Sequence, residues 1–288
     1  MNLEDIECWC ICDGAAGKKS QVLGVAETLG VRHKFVTSQR LPSQGLPQMI
    51  ISSGCVGAYA ALNLRKRLGK KVYWIHTERP PFRPESVDLI VAPRHDGIRG
   101  KNVVRTLGAV HNLTSEKLAA FRNSPLARSI EGGKRGKVVC VLVGGPNREC
   151  RFEIVDMINK LKRLKRVRIV VVKSPRTPDD AVPLFEKAFG REHFVWKGTG
   201  ENPYLPALSV ANYIVVTGDS VSMISEASTT EVPLYVAFYP AVRGRSKFTR
   251  FHEGFSKAGI TRPFRGSLSN WSYSPPQDNE IVAEVVRR

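Results

Sequence analysis

Residues 214–233 read IVVTGDSVSMISEASTTEVP. An apolar run, Ile214 to Val216, stops at Thr217-Gly218-Asp219-Ser220; a helix-like segment carrying Glu226 follows, and Pro233 closes it ahead of another apolar run. A strand that hands over to a helix and then to a second strand is the pattern of a parallel α/β sheet. Asp219 or Ser220 is placed to cap the helix, and the backbone N–H groups that come next, at Val221 and Ser222, would face an anion. Ser222 and Glu226 lie four apart and share a face. A carboxylate repels phosphate, so Glu226 is no phosphate ligand; one turn in, it suits the paired hydroxyls of a ribose. An ordinary cap followed by a solvent-exposed glutamate explains the same residues, and the local pattern leaves both open.

The same alternation runs along the chain. Apolar runs at 8–12, 48–52, 72–76, 88–92, 138–143, 168–172, 213–217 and 234–238 are expected as strands, mostly without polar alternation, as in parallel sheets covered on both faces. Helices are expected at 18–29, 57–68, 115–122, 151–164, 179–189, 204–210, 220–230 and 279–288. The polar stretch RNSPLARSIEGGKRGK (122–137), with Pro125 and Gly132-Gly133, reads as a boundary. Two α/β domains of similar size are expected, 1–130 and 131–288, with the last helix able to pack back on the first.

A chain of 288 residues with 42% apolar content can build two cores. No run approaches the roughly 20 apolar residues of a membrane-spanning helix, and the acidic start Met1-Asn2-Leu3-Glu4-Asp5 does not resemble a signal peptide. This reads as a cytoplasmic protein. Six cysteines include no C-x-x-C pair; Cys8, Cys10 and Cys12 would share one face of a strand as buried hydrophobes. A formal net charge of +18 favours anionic partners. Its densest cluster is KLKRLKRVR (160–168); Ile154, Met157, Ile158, Leu161 and Leu164 recur at helical spacing, so the bases read as the wet face of that helix. No zinc-finger, RRM or KH signature supports nucleic-acid binding. Peripheral contact with an anionic membrane surface stays open.

Other strand ends are also rich in small residues, where open α/β sheets bind ligands. DGAAGKKSQ (13–21) offers Gly14, Gly17 and Lys18 but is not a Walker A loop. SSGCVGAYA (52–60) offers Gly54, and VGGPNRE (143–149) offers Gly144 and Gly145. WKGTGENPYLPAL (196–208) gathers Thr199, Gly200, Glu201 and Asn202 ahead of Pro203, a good helix start. APRHDG (92–97) places His95 and Asp96 just after a strand, either as an acid–base pair or as a structural histidine.

In order, these segments resemble GT-B glycosyltransferases, in particular the branch that forms lipid II by transferring N-acetylglucosamine. The resemblance is carried by DGAAGKKSQVLGVAETL (13–29), SSGCVGAYAALNLRKRLGKKVYWIHTER (52–79), VGGP (143–146), SEASTTEVP (225–233) and KAG (257–259). More specifically, GTGENPY (198–204), TGDSVSMISEA (217–227), APRHD (92–96) and TLGAVHNLT (106–114) resemble the mitochondrial fission family. The resemblance implies two Rossmann-like domains whose parallel sheets face across a cleft. It implies a nucleoside-diphosphate sugar of UDP type, with no other cofactor and no metal. The diphosphate would lie at the helix N-terminus of Ser220, Val221 and Ser222, the ribose at Glu226, and the nucleotide between Gly144–Gly145 and the 198–202 loop, with Gly218 and Asp219 also among the binding residues. An acceptor would approach Gly14, Gly17, Lys18, Gly54 and His76. His95, Asp96 and His76 are the candidate bases.

Two positions depart from that pattern. Lys18 stands where the lipid II enzyme has a histidine, and an ordinary lysine is protonated at neutral pH. Residues 236–269 contain no Gln or Asn to grip a sugar; they carry Arg243, Arg245, Lys247 and Arg250, which favour an anion. The functional expectation is a glycosyltransferase-like protein binding a nucleotide sugar. The alternative is a non-catalytic adaptor on the same scaffold that recruits a division or envelope partner at a membrane surface.

Overall fold

The computed structural model describes residues 3–42, 46–132, 136–147, 152–237 and 246–288, with Lys70 as backbone only. Gly133, the 148–149 end of the third glycine turn, position 238, Arg243 and Arg245 lie outside the described residues. The chain divides into two compact units, Met1–Leu113 with Pro276–Arg288, and Thr114–Pro275.

The first unit runs β1 (Glu7–Cys12), α1 (Ala16–Leu29), β2 (Arg32–Thr37), β3 (Met49–Ser53), α2 (Gly54–Leu68), β4 (Tyr73–Thr77), β5 (Leu89–Pro93) and β6 (Val103–Thr106). All neighbouring strands pair in parallel, in the order β2-β1-β3-β4-β5-β6. Strand β1 shows why an apolar run becomes a central strand. Cys8 and Cys10 enter one core with Val22 and Val25 of α1, while Trp9 and Ile11 enter another with Ala61 and Leu64 of α2. Burying such side chains on both faces contributes about 1.5–3 kcal/mol for each large one. Cys55, in the first turn of α2, is exposed, whereas Cys8, Cys10, Cys12 and Cys140 are buried.

The second unit runs α3 (Ser115–Arg122), α4 (Pro125–Glu131), β7 (Lys137–Val143), α5 (Ile154–Leu161), β8 (Val167–Lys173), α6 (Ala181–Phe189), β9 (Phe194–Val195), α7 (Tyr204–Val210), β10 (Tyr213–Thr217), α8 (Val221–Ser228), β11 (Leu234–Ala237), α9 (Lys247–Lys257) and β12 (Thr261–Pro263). Its sheet is also parallel, ordered β12-β11-β10-β7-β8-β9. The last helix, α10 (Asp278–Arg287), belongs to the first unit and packs on α1. No helix among the described residues is long and apolar enough to cross a membrane.

Four strands absent from the expected set, β2, β6, β9 and β12, are the four sheet edges. An edge strand has one neighbour and a wet flank, so it needs less apolar sequence; β2 reads RHKFVT and buries only Val36. Two helices were also missed. In α4, Pro125 stands at the first helical turn and the Ser124 hydroxyl accepts from the Ala127 N–H, so a proline read as a boundary is a helix start. Because α3 and α4 pack on α7, the division between units falls between Leu113 and Thr114 rather than near 130. In α9, Phe251, His252 and Phe255 are buried beneath a basic outer face. The 160–168 cluster is shared between the end of α5, the following turn and the start of β8, with Lys162, Arg163, Lys165 and Arg166 exposed.

Polar contacts fasten α10 to the first unit. The buried Asp278 carboxylate accepts from the Leu107 N–H (2.8 Å) and the Gly108 N–H (2.7 Å). The Asn279 amide donates to the His111 carbonyl (2.8 Å) and to Thr28 Oγ1 (3.0 Å). Replacing Asp278 by alanine orphans two N–H groups, the one at Gly108 buried and the one at Leu107 partly buried. The unfolding free energy of D278A, measured by urea titration, should fall by about 2–3 kcal/mol.

Candidate functional site

In each sheet the chain builds outward in two directions from one pair of adjacent strands. In the second unit that pair is β7 and β10: the chain proceeds to β8 and β9 on one side and to β11 and β12 on the other. The two loops flanking this switch point diverge, and a crevice opens beyond the strand ends. They are Gly144–Gly145 after β7 and Thr217–Ser220 after β10.

Asp219 ties these loops together. Its side chain is fully buried; Oδ1 accepts from the Thr217 hydroxyl (2.6 Å), and Oδ2 accepts from the Gly145 N–H (3.1 Å) and from Arg176 (2.7 Å). Thr217 Oγ1 in turn accepts from the Gly144 N–H (2.7 Å). The glycines are demanded by this packing. A Cβ at Gly144 would lie 2.3 Å from Asp219 Oδ2, and one at Gly145 only 1.8 Å from the Arg176 carbonyl. The expected alternative caps are therefore resolved: Ser220 caps α8, its hydroxyl accepting from the Met223 N–H (3.3 Å), while Asp219 turns inward. On the other side His252 of α9 donates from Nε2 to the Gly218 carbonyl (2.7 Å). Burial lowers the His252 pKa, against the opposing effects of that carbonyl and of Asp219.

With Ser220 occupied by Met223, the N–H groups of Val221 and Ser222 meet no protein acceptor among the described residues, and both residues are partly exposed. Glu226 sits one turn on, 9% exposed, which excludes the free surface glutamate of the simpler reading. Its Oε2 accepts from the Tyr204 hydroxyl (2.6 Å), whose own pKa is raised by burial and then by the Glu226 charge. Tyr204 opens α7, and Asn202 Oδ1 accepts from its N–H (3.0 Å). The loop before it turns through Gly198 and Gly200 at positive φ, with the Thr199 carbonyl accepting from Trp196 Nε1 (2.8 Å) and Glu201 exposed. Arg250 lies on the exposed face of α9, opposite Phe251 and His252. Arg176, Tyr204 and His252 were not singled out from the sequence. Each acts through a partner distant in the chain, so no local spacing marks it.

The first unit has its own switch point between β1 and β3. Lys18 pairs with Asp13 (2.5 Å), and its side chain passes over Gly54, where a Cβ would meet Nζ at 2.7 Å. Gly54 has φ +70° and Gly14 φ +89°; Gly17 lies in the first turn of α1. Burial would lower the Lys18 pKa, but the Asp13 carboxylate, with Glu78 behind it, outweighs burial and holds it above the ordinary lysine value. His76 is fully buried; Nδ1 is 2.8 Å from Ser52 Oγ, which accepts from Trp74 Nε1 (2.7 Å), and Nε2 has no partner among the described residues. Burial lowers its pKa to about 4. His95 Nε2 stands 3.6 Å from Asp96 Oδ1, too long for a hydrogen bond, with His95 buried. The bases expected from the sequence are thus brought to strand ends, but His76 and His95 are shielded from solvent. No cluster of His, Cys, Asp and Glu among the described residues has metal-site geometry.

The sequence profile of the family described as Mitochondrial fission ELM1 matches residues 16–288. The mitochondrial fission protein ELM1 of Arabidopsis thaliana is 28% identical over 278 residues, covering 84% of this chain; the chain spans 64% of that relative's length. An uncharacterised protein of Rickettsia prowazekii is 24% identical over 349 aligned positions, covering 97% of each. Among solved structures, the UDP-GlcNAc 2-epimerase of Methanocaldococcus jannaschii, in complex with UDP-GlcNAc and UDP, aligns with TM-score 0.59 at 12% identity over 98% of both chains. S. aureus MnaA, solved with UDP, aligns with TM-score 0.57 at 13% identity, covering 98% of this chain and 87% of that one. These likenesses establish the fold: two Rossmann-like parallel α/β units of the GT-B type.

Two outcomes follow from this geometry. Gly145→Ala forces a Cβ into backbone and should lower stability by about 3 kcal/mol, read as a reduced denaturation midpoint at unchanged slope. His76 stays neutral when folded but takes a proton near pH 6.5 when unfolded, so stability should fall as pH drops from about 6.5 to about 4. The loss approaches about 3 kcal/mol and levels off below that range. Urea titrations at both ends of the window, repeated on His76→Gln, isolate this contribution from that of the carboxylates.

Proposed function

We propose, starting from the fact that the chain belongs to the mitochondrial fission ELM1 family, that its second unit binds a nucleoside-diphosphate sugar at the β7–β10 switch point. The observation that carries this is the pair of N–H groups at Val221 and Ser222, without an acceptor among the described residues, with the buried carboxylate of Glu226 one turn away. The helix start supplies donors and a partial positive charge for a diphosphate. Glu226, held by Tyr204, supplies a fixed acceptor for ribose hydroxyls. Arg176 offsets the charge of Asp219, so the turn does not repel an anion. A UDP-type ligand is supported by the solved proteins of this fold whose complexes hold UDP and UDP-GlcNAc. Glycosyl transfer would release the diphosphate as leaving group at this helix start while a base takes the acceptor's proton.

A second reading, an adaptor that binds the nucleotide without transferring a sugar, is favoured by one observation. Lys18, where the resemblance expects a base, is ion-paired and held protonated. The expected adaptor setting, a division or envelope partner at an anionic membrane surface, remains part of this second reading, with the net charge of +18 as its support.

Calorimetry against UDP and UDP-GlcNAc tests the site. Glu226→Gln should weaken binding about tenfold through the lost charged hydrogen bonds. Ser222→Asp should abolish it by repelling the diphosphate, while leaving the helix intact, since an acidic first turn suits a helix start. If UDP binds S222D as it binds the wild type, or if no nucleotide binds the folded protein, the site assignment fails. Release of UDP from UDP-GlcNAc in the presence of candidate acceptors separates transfer from binding alone.

A further inference from the structure

Beyond β4 the chain lines a cavity of about 610 Å³ that lies wholly in the first unit. Arg79 and Arg99 stand in its wall with Pro80, Pro81, Phe82 and Ile98. The apolar part is firmly backed: Ile98 is 7% exposed, and the Phe82 ring lies 5.8 Å from Trp74 and 5.6 Å from Tyr59. The lining contains no Asp or Glu, and neither arginine has a protein partner among the described residues. Two exposed guanidiniums without a protein partner, in one lining with an apolar wall, offer charge and apolar surface together to an anionic ligand.

The segment is also held in place before any ligand arrives. Its prolines restrict the backbone. Asn102 Nδ2 donates to the carbonyls of Pro84 (2.9 Å) and Val87 (2.8 Å). Asp88 accepts from the Trp74 N–H (2.8 Å) and makes a two-pronged pair with Arg65. Immediately before Arg79 in the chain, Glu78 adopts φ +74°, a conformation that strains a side-chain-bearing residue. It persists because its N–H donates to the Val91 carbonyl (2.8 Å) and its carboxylate accepts from Gln21 (3.0 Å). A prebuilt cavity loses little entropy when it binds.

We propose that this cavity binds a phosphate monoester carrying an apolar group, the phosphate held by Arg79 and Arg99 and the apolar group against Phe82 and Ile98. Two guanidiniums match the double charge of a phosphate monoester, whereas a carboxylate would leave one of them uncompensated. The site is separate from the switch point of the second unit and does not rest on nucleotide binding there. The same chemistry is found in a free phosphorylated metabolite and in a phosphatidate headgroup.

Calorimetry with phenyl phosphate, inorganic phosphate and phenol tests the pairing of charge with apolar surface. Phenyl phosphate should bind at least about tenfold more tightly than either fragment, and Arg79→Ala and Arg99→Ala should each weaken it about tenfold. Both side chains are exposed, so the variants should keep the wild-type melting temperature. The double variant Lys162→Ala, Lys165→Ala removes equal charge from the second unit and should bind normally. Co-sedimentation with phosphatidate vesicles, lost in the double arginine variant, would assign the lipid as source. Phenyl phosphate binding without co-sedimentation would assign a free phosphate ester; either result supports the site. The proposal is overturned if neither probe binds, if phenol binds as tightly as phenyl phosphate, or if the double arginine variant retains wild-type affinity.

Discussion

The second unit depends on one buried carboxylate. Asp219 holds the ends of β7 and β10 and the segment after β8 by accepting from Gly145, Thr217 and Arg176 at once. A buried charge is tolerated only when its lone pairs are met, and here three donors meet them. The arrangement fixes the sequence around it. Gly144 and Gly145 must lack side chains, Thr217 must carry a hydroxyl, and Ser220, rather than Asp219, is left to cap α8. The open donors at Val221 and Ser222 follow from that division of labour.

The interior of both sheets was legible in the sequence, and the margins were not. Central strands such as β1 and β10 are buried on both faces, which forces continuous apolar runs of the kind seen in CWCIC and YIVVT. Edge strands answer to a single neighbour, and RHKFVT or TRP carries too little apolar signal to separate from a loop. Helix α9 was obscured for a related reason: its basic outer face drew attention to anions, while Phe251, His252 and Phe255 on the inner face set its place.

Where the candidate residues fall in the fold was legible in the sequence; where their side chains point was not. The glycine turns, the capped helix and Glu226 all fall at strand ends, as their spacing implied. What spacing could not convey is direction. Asp219 points inward, Glu226 is buried against Tyr204, and His76 is sealed beneath Trp74 and Ser52. Direction is decided by partners far off in the chain, such as Arg176, 43 positions from Asp219, and Tyr204, 22 positions from Glu226. The first unit repeats the logic with other residues: Asp13 neutralises Lys18 at the mouth of its switch point, so charge there is balanced internally.

The distribution of thiols has a practical consequence. Of the five cysteines described, four lie inside the sheets or their cores and Cys55 alone faces solvent, one residue beyond Gly54 and the side chain of Lys18. A maleimide dye or spin label added to the native protein would therefore find one accessible position among the described residues. It would sit at the mouth of the first unit's switch point and report on whatever approaches it.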